Sequence, residues 1–373
     1  MMTQKPVKKI LWMTWKDLKN PQAGGAETVN EEIIKRLAKN GYEVILIVAG
    51  FDNSKPEEVI DGYRVIRVGS RWSLYWYAYR YYKKNHVGWA DLVIDEMNTI
   101  PFFTKYYVKE KNIILAHQLC REIWFYQMFF PLNIVGYILE PIYLWLLSDR
   151  KVITISESSK NDLIRFGFKK TNISIITPGI ETLPLKSLNQ IEKQNNFTIL
   201  SLGSIREMKR PDQQVLAFQI AKKTIPELKM KIAGGGSGPY FEKVMKMISE
   251  SPYKKDIEYL GRITDEEKYE LMQKCHLITV TSVKEGWGLI VTEANSQGAP
   301  AVVYDVDGLR DSVRNGVTGL IAKEKTPESL AKEIVKLYKD KKKYSELQKN
   351  AWEWSKEINF ENCYKKFVEA ING

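Results

Sequence analysis

The sequence predicts an α/β protein of two doubly wound domains, each a mostly parallel sheet covered by helices on both faces. Three observations lead there. Short β-branched runs alternate with helical patterns along the chain, an order that builds parallel sheets. The alternation halts once, at a polar stretch, and then restarts. The length of 373 residues also exceeds what one core usually serves.

The first strand is read in KKILWMTW (8–15), after a basic start whose apolar run is too short for a signal peptide. In AETVNEEIIKRLAKNG, Val29, Ile33, Ile34 and Leu37 recur at helical spacing, and Gly41 stops the helix. YEVILIVAG (42–50), DLVIDEM, NIILAHQ, KVITIS and ISIITPG supply further strands. The first domain is taken as 1–184 and the polar stretch 185–196 as a linker. In the second domain, 197–355, strands fall at FTILSLGS (197–204), LKMKIAGGG (228–236), DIEYLGR (256–262), HLITVTS (276–282) and PAVVYDVD (300–307). Helices are expected over 211–223, up to about residue 250, and after Glu285. A last helix, 356–373, is expected to pack back on the first domain. Domains of this kind facing across a cleft bind ligands beyond the carboxyl ends of their strands, so site residues should follow strands.

Composition narrows the function. Cys120, Cys275 and Cys363 are odd in number and lack metal-ligand spacing, which disfavours disulfides and zinc and suits a reducing cytoplasm. The net charge of +11 favours an anionic partner: a nucleotide, a phospholipid surface or a nucleic acid. No acid lies between Asp61 and Asp91, where Arg64, Arg67, Arg71, Arg80, Lys83 and Lys84 gather.

The stretch VKEGWGLIVTEANSQG carries Glu285 and Glu293 on either side of a glycine-rich helix start. Backbone N–H groups of Gly286, Trp287, Gly288 and Leu289 would be unpaired donors there, suited to phosphate or sugar oxygens. Eight residues of helix rise about 12 Å, roughly a sugar hydroxyl to a nucleoside ribose across a diphosphate. On spacing alone, an ordinary capped helix with two incidental glutamates remains an equal alternative.

In order along the chain, PQAGGAE (21–27), ILAHQ (114–118), ITISESSKNDLIRFGF, GSIREMKRPD (203–212), IAGGGSGP, the Glu-x7-Glu stretch and DGLRDSVRNGVTGLI (307–321) together resemble the retaining glycosyltransferases of family 4, on the GT-B fold. The resemblance covers nearly the whole chain. It implies that Glu293 binds the ribose hydroxyls of a nucleotide-sugar donor and Glu285 the hydroxyls of the transferred sugar. Lys209 would neutralise the diphosphate, Gly24 and Gly25 would approach it from the first domain, and His117 would sit beside the donor sugar. Gly261, Arg262 and Ile263 would line the base pocket. No metal or other cofactor is implied, since basic side chains and helix ends handle the phosphate charge.

Ser204 stands where relatives of that family carry an arginine, which removes one cation from a leaving diphosphate. Arg206 is the expected substitute, with a solvated loop arginine as the alternative. Asp305 and Asp307 form an Asp-x-Asp, a spacing used for metal-bound sugar nucleotides on another fold; inside this loop a metal role is not expected. A histidine at a strand end is often plain hydrogen-bonded core, and only the resemblance turns His117 into a site residue.

RWSLYWYAYRYYKK (71–84) interleaves bases with aromatics. On a helix Leu74, Tyr77, Ala78 and Tyr81 would face the core, leaving Trp72, Trp76, Arg80, Lys83 and Lys84 as candidates for a lipid headgroup layer. A second apolar stretch, 123–147, is interrupted by Pro131, Asn133, Gly136, Glu140 and Pro141, which argues against a spanning helix and leaves in-plane docking or interdomain packing. The expected enzyme is thus a cytoplasmic, membrane-peripheral hexosyltransferase with a lipid-linked or growing-glycan acceptor. Two other classes compete: a sugar-nucleotide epimerase of the same fold, and a single-stranded nucleic-acid binder using the same aromatics and bases.

Overall fold

The computed structural model describes residues 7–373; the basic first six residues lie outside it. The chain forms two compact units, one running up to Gly179 and taking in Phe360–Gly373, the other Ile180–Asn359.

Among the described residues the first unit holds eight strands: β1 (Lys9–Met13), β2 (Glu43–Val48), β3 (Glu57–Ile60), β4 (Tyr63–Arg67), β5 (Leu92–Glu96), β6 (Lys111–Ala116), β7 (Val152–Thr154) and β8 (Ile173–Ile175). They lie in the order β3-β4-β2-β1-β5-β6-β7-β8. All neighbours pair in parallel except β3 with β4, a hairpin turned by Asp61 and Gly62 at φ 46 and 87. Continuous apolar runs form the central strands because both faces are covered: Ile10, Leu11, Trp12 and Met13 of β1 are fully buried. The helix Gly25–Lys39 covers one face with Val29, Ile33, Ile34 and Leu37. The strand order reverses between β1 and β5, the switch point where an open α/β sheet takes its ligand.

Three expectations on this unit need correction. The helix Leu74–Asn85 buries Leu74, Ala78 and Tyr82, whereas Tyr77 is largely exposed and Tyr81 partly so. The buried stripe therefore runs i, i+4, i+8, and the Tyr82 hydroxyl reaches Glu110 at 2.5 Å. Arg67 does not belong to an open basic patch: it is buried and paired with Asp17 at 2.7 Å and Glu58 at 2.6 Å. Finally, the closing helix begins at Phe360 rather than 356, and Phe360, Cys363, Phe367 and Ile371 make its buried stripe. The Phe367 ring stacks on Trp12, with centroids 5.5 Å apart.

The second unit has six parallel strands, β9 (Thr198–Leu202), β10 (Lys229–Ala233), β11 (Ile257–Gly261), β12 (Leu277–Val280), β13 (Ala301–Tyr304) and β14 (Gly319–Ala322). Their order is β11-β10-β9-β12-β13-β14, which places its switch point between β9 and β12. The stretch 185–196 is no free linker. Leu185 N–H donates to the Ser296 carbonyl at 3.0 Å and Gln194 N–H to that of Lys274 at 2.9 Å. Lys193 donates to the carbonyls of Cys275 and Gly298 at 2.6 and 2.8 Å, and burial lowers its ammonium to about 8.

Candidate active site

The loops that leave β9 and β12 meet at the switch point of the second unit. From the β9 side, Lys209 ends a short 3-10 turn, held there because Thr281 Oγ donates to the carbonyls of Lys209 and Arg210 at 3.2 and 2.7 Å. From the β12 side, Glu285 faces it, and the two form an ion pair. Ser282 Oγ also donates to the Glu285 carboxylate, at 2.6 Å. One cation and one carboxylate, separated by 76 residues in sequence, thus share one point at the strand ends.

Two glycines make this loop possible. Gly288 opens the helix Leu289–Ser296 at φ 93, and a Cβ there would lie 2.9 Å from Leu309 Cδ2. Gly308 sits at φ 78, where a Cβ would meet the Glu285 carbonyl oxygen at 2.3 Å. The first turn of the helix Leu289–Ser296, a few residues past Glu285, leaves N–H groups without intrahelical acceptors.

The Trp287 side chain is buried against Trp354 with ring centroids 6.3 Å apart. The rise expected between the two glutamates is smaller, because the helix starts at Leu289; from there to Glu293 it rises about 6 Å, and loop covers the rest. Glu293 is mostly buried, 3.6 Å from Lys268. Burial raises its carboxyl, Lys268 opposes that, and Glu181 reinforces it. Although burial pulls the Lys268 ammonium down, Glu293 and Asp265 hold it above its ordinary range.

Ser204 and Arg206 lie exposed on the β9 loop. Gly261, at φ 69, accepts from Gly234 N–H at 2.7 Å, and the Arg262 side chain lies so close over Gly235 that a Cβ there would be 2.6 Å from its Nε. Ile263 follows, half-buried. The Asp-x-Asp pair is already neutralised: Arg310 donates to Asp305 at 2.8 Å and also pairs with Asp307, and Lys284 lies 3.2 Å from Asp307. Partial burial would raise the Asp307 carboxyl, but Lys284 and Arg310 hold it below the usual carboxylate range.

In the first unit, Gly24 and Gly25 start the helix Gly25–Lys39 on the surface. The Gly24 N–H donates to Glu27 Oε2 at 2.7 Å, and Gly25 lies open beside it. Burial raises the Glu27 carboxyl, against the pull of Lys16 at 3.4 Å. His117, beyond β6, is 6% exposed. Its Nε2 lies 3.2 Å from Asn30 Oδ1 and 3.6 Å from Glu96, while its Nδ1 is buried without a partner.

Sequence reasoning passed over Ser282, Lys268, Asn30 and Glu96. For Glu96 a signal existed, a pair of acids closing an apolar strand. The others are brought in by neighbouring elements and carried none.

This two-unit architecture agrees with what known proteins show. Residues 23–182 match the model described as Glycosyltransferase Family 4, and residues 186–354 that of Glycosyl transferases group 1. Between them they span most of the chain, which belongs to family 4 of the glycosyltransferases. A poly(glycerol-phosphate) alpha-glucosyltransferase of Bacillus subtilis is 33% identical over 177 residues, a stretch that spans only 26% of that protein and 47% of this chain. An N-acetyl-alpha-D-glucosaminyl L-malate synthase of Bacillus anthracis is 20% identical over 91% of this chain and 90% of its own. The fold is that of a sucrose-phosphate synthase from Thermosynechococcus elongatus (TM-score 0.78, 18% identity, 98% of each chain). It is also that of the Anabaena protein HepE, solved with UDP and glucose (TM-score 0.70, 17% identity, 98% of this chain and 99% of that one). The fold is therefore GT-B, with two Rossmann-like units.

Proposed function

We propose that this chain is a retaining glycosyltransferase that moves a hexose-type sugar from a nucleoside-diphosphate sugar to a lipid-linked or growing-glycan acceptor. The Lys209–Glu285 pair at the β9/β12 switch point carries the reading. A diphosphate next to a sugar needs a cation beside a hydroxyl acceptor, and this pair offers both, flanked by a helix start. Glu293 takes the ribose, with Lys268 holding its carboxylate in place.

Lys209, the N–H groups of Gly286 to Leu289 and Arg206 meet the phosphate charge; no metal is called for, and the nearby Asp305 and Asp307 are already paired with Arg310 and Lys284. As the glycosidic bond breaks, Lys209 stabilises the leaving diphosphate. The same phosphate takes the proton of the acceptor hydroxyl, which attacks from the face the leaving group vacates. Glu285 binds and orients the sugar and forms no covalent bond.

Surface chemistry supports a membrane-bound acceptor and a peripheral, cytoplasmic-face enzyme. In the first unit the helix Leu132–Leu147 exposes Ile134, Val135, Ile138, Leu139, Ile142 and Trp145, and Phe129 and Phe130 before it are 68% and 75% exposed. Trp72 and Trp76 are exposed as well, beside exposed Arg80, Lys83 and Lys84. An apolar face with tryptophans and basic residues suits an anionic lipid headgroup layer. Glu140 stays off that face, buried and accepting N–H bonds from Cys120 and Arg121, both at 2.7 Å. Among the described residues no helix is long and apolar enough to cross a membrane.

The test is nucleotide release from UDP-, GDP- and ADP-sugars, each with and without a polyprenyl-phosphate or phospholipid extract. Release from one donor, enhanced by lipid, is expected. Epimerisation of a donor with no acceptor present, or no turnover of any donor, would overturn the reading.

A further inference from the structure

We infer that Asn30 and Glu96 are positioning residues that decide which nitrogen of His117 meets the substrate, leaving Nδ1 to accept a hydrogen bond from a sugar hydroxyl. The inference rests on the transferase reading for its ligand, but its geometry stands without it.

The chain of reasoning begins at Glu96, which is 1% exposed at the end of β5. Its carboxylate accepts from Trp12 Nε1 and Asn30 Nδ2, both at 2.8 Å, and from Asn98 Nδ2 at 3.2 Å. Burial alone would raise this carboxyl; His117, Trp12 and Asn30 outweigh it and keep it below the ordinary range. An anion can only accept hydrogen bonds, so it draws the NH2 end of the Asn30 amide. The amide is planar, and its oxygen is thereby aimed at His117 Nε2, 3.2 Å away. Oδ1 has only lone pairs to offer, so Nε2 carries the hydrogen. In a neutral imidazole the other nitrogen is then an acceptor.

That other nitrogen is the orphan: Nδ1 of His117 is buried with no partner. Ser159 Oγ donates to the His117 carbonyl at 3.0 Å, and Ser156 Oγ donates to Ser159 at 3.0 Å, so the backbone beneath the ring is fixed. Asn30 lies on the helix after β1, Glu96 ends β5 and His117 follows β6, so the three come together beyond the ends of three adjacent strands. An unpaired buried acceptor held this firmly is suited to one hydroxyl, and it repels a carboxylate. The geometry therefore favours a neutral hexose over a uronic acid, and a sugar lacking the matched hydroxyl should lose roughly ten- to hundredfold in kcat/KM.

The experiment uses the full chain with isotopically labelled histidine. Its three histidines, His86, His117 and His276, are told apart by the signal lost in His117→Gln. Nitrogen chemical shifts near neutral pH should show Nε2 protonated and Nδ1 bare in His117. In Glu96→Gln the new amide can donate, which frees the Asn30 amide to turn over; the His117 proton should then move to Nδ1. With it the kcat/KM penalty for removing one sugar hydroxyl, measured over a deoxy-sugar donor series, should shrink to near unity. A protonated Nδ1 in the wild type overturns the inference, as does an unchanged tautomer in Glu96→Gln. Should that variant fail to fold, the wild-type spectrum still decides. Should the chain transfer no sugar, the tautomer is still read, so failure of the transferase proposal is seen separately.

Discussion

Replacing Lys209 with methionine separates chemistry from architecture. The Lys209 and Glu285 side chains keep 27% and 17% of their exposure, so water screens their ion pair and its loss should change stability by no more than about 1 kcal/mol. Catalysis asks more of the same ammonium. One preorganised group that stabilises a developing anion contributes about 3–4 kcal/mol, so kcat should fall roughly 10²- to 10³-fold. Nucleotide release under saturating donor measures the loss, and a thermal melt checks the fold. The second arm is Glu285→Gln, alone and combined with Lys209→Met. If the two residues serve different parts of the donor, their losses multiply; if they only brace the loop, the double variant is no worse than either single one. A kcat for Lys209→Met within about threefold of wild type, with an unchanged melt, would refute the assignment of Lys209 to the leaving phosphate.

Other outcomes follow from the same geometry. Because burial raises the Glu293 carboxyl, kcat/KM for the donor should fall as pH drops through a point above the ordinary carboxylate range, where protonation would end the double acceptance from ribose proposed for it. Glu293→Gln should flatten that limb of the pH profile, and an unaltered limb would assign it to another group. Gly308→Ala forces a Cβ to 2.3 Å from the Glu285 carbonyl at a positive φ; it should destabilise by about 1–3 kcal/mol and weaken donor binding, read by melt and KM together. Ile138→Glu with Ile142→Glu changes two exposed side chains, so the melt should hold while sedimentation with anionic vesicles drops about tenfold or more. Equal sedimentation of variant and wild type would remove the membrane from the reading.

How much of this was readable in advance depended on whether a residue's own neighbours in sequence determine its surroundings. The helix Gly25–Lys39 was legible because its four core residues repeat at helical spacing, and the central strands because burial on both faces needs continuous apolar runs. The hairpin of β3 and β4 was missed, since Glu57–Ile60 is a half-exposed edge with no such run, although Asp61-Gly62 is a turn signal. In the helix Leu74–Asn85 half of the positions are aromatic, so hydrophobic pattern could not choose between Tyr81 and Tyr82; the partner Glu110 lies outside that helix. At the site, ordered motifs pointed to Lys209, Glu285 and Glu293. Their contacts were not legible: that Lys209 meets Glu285 and Lys268 meets Glu293 follows from how strands are ordered in the sheet.

The stacking of Phe367 on Trp12 has a bearing on how the protein comes into being. Trp12 belongs to the first strand of the chain and donates to Glu96, which in turn orders Asn30 and His117. Its packing partner arrives only with the final helix, Phe360–Asn372. During synthesis the second unit, Ile180–Asn359, is therefore complete in sequence while the first still lacks its lid. The surroundings of Glu96, and through it of Asn30 and His117, are complete only once that helix has been made. A product terminated before Phe360 would thus carry the whole second unit and a first unit whose Trp12 lacks its packing partner.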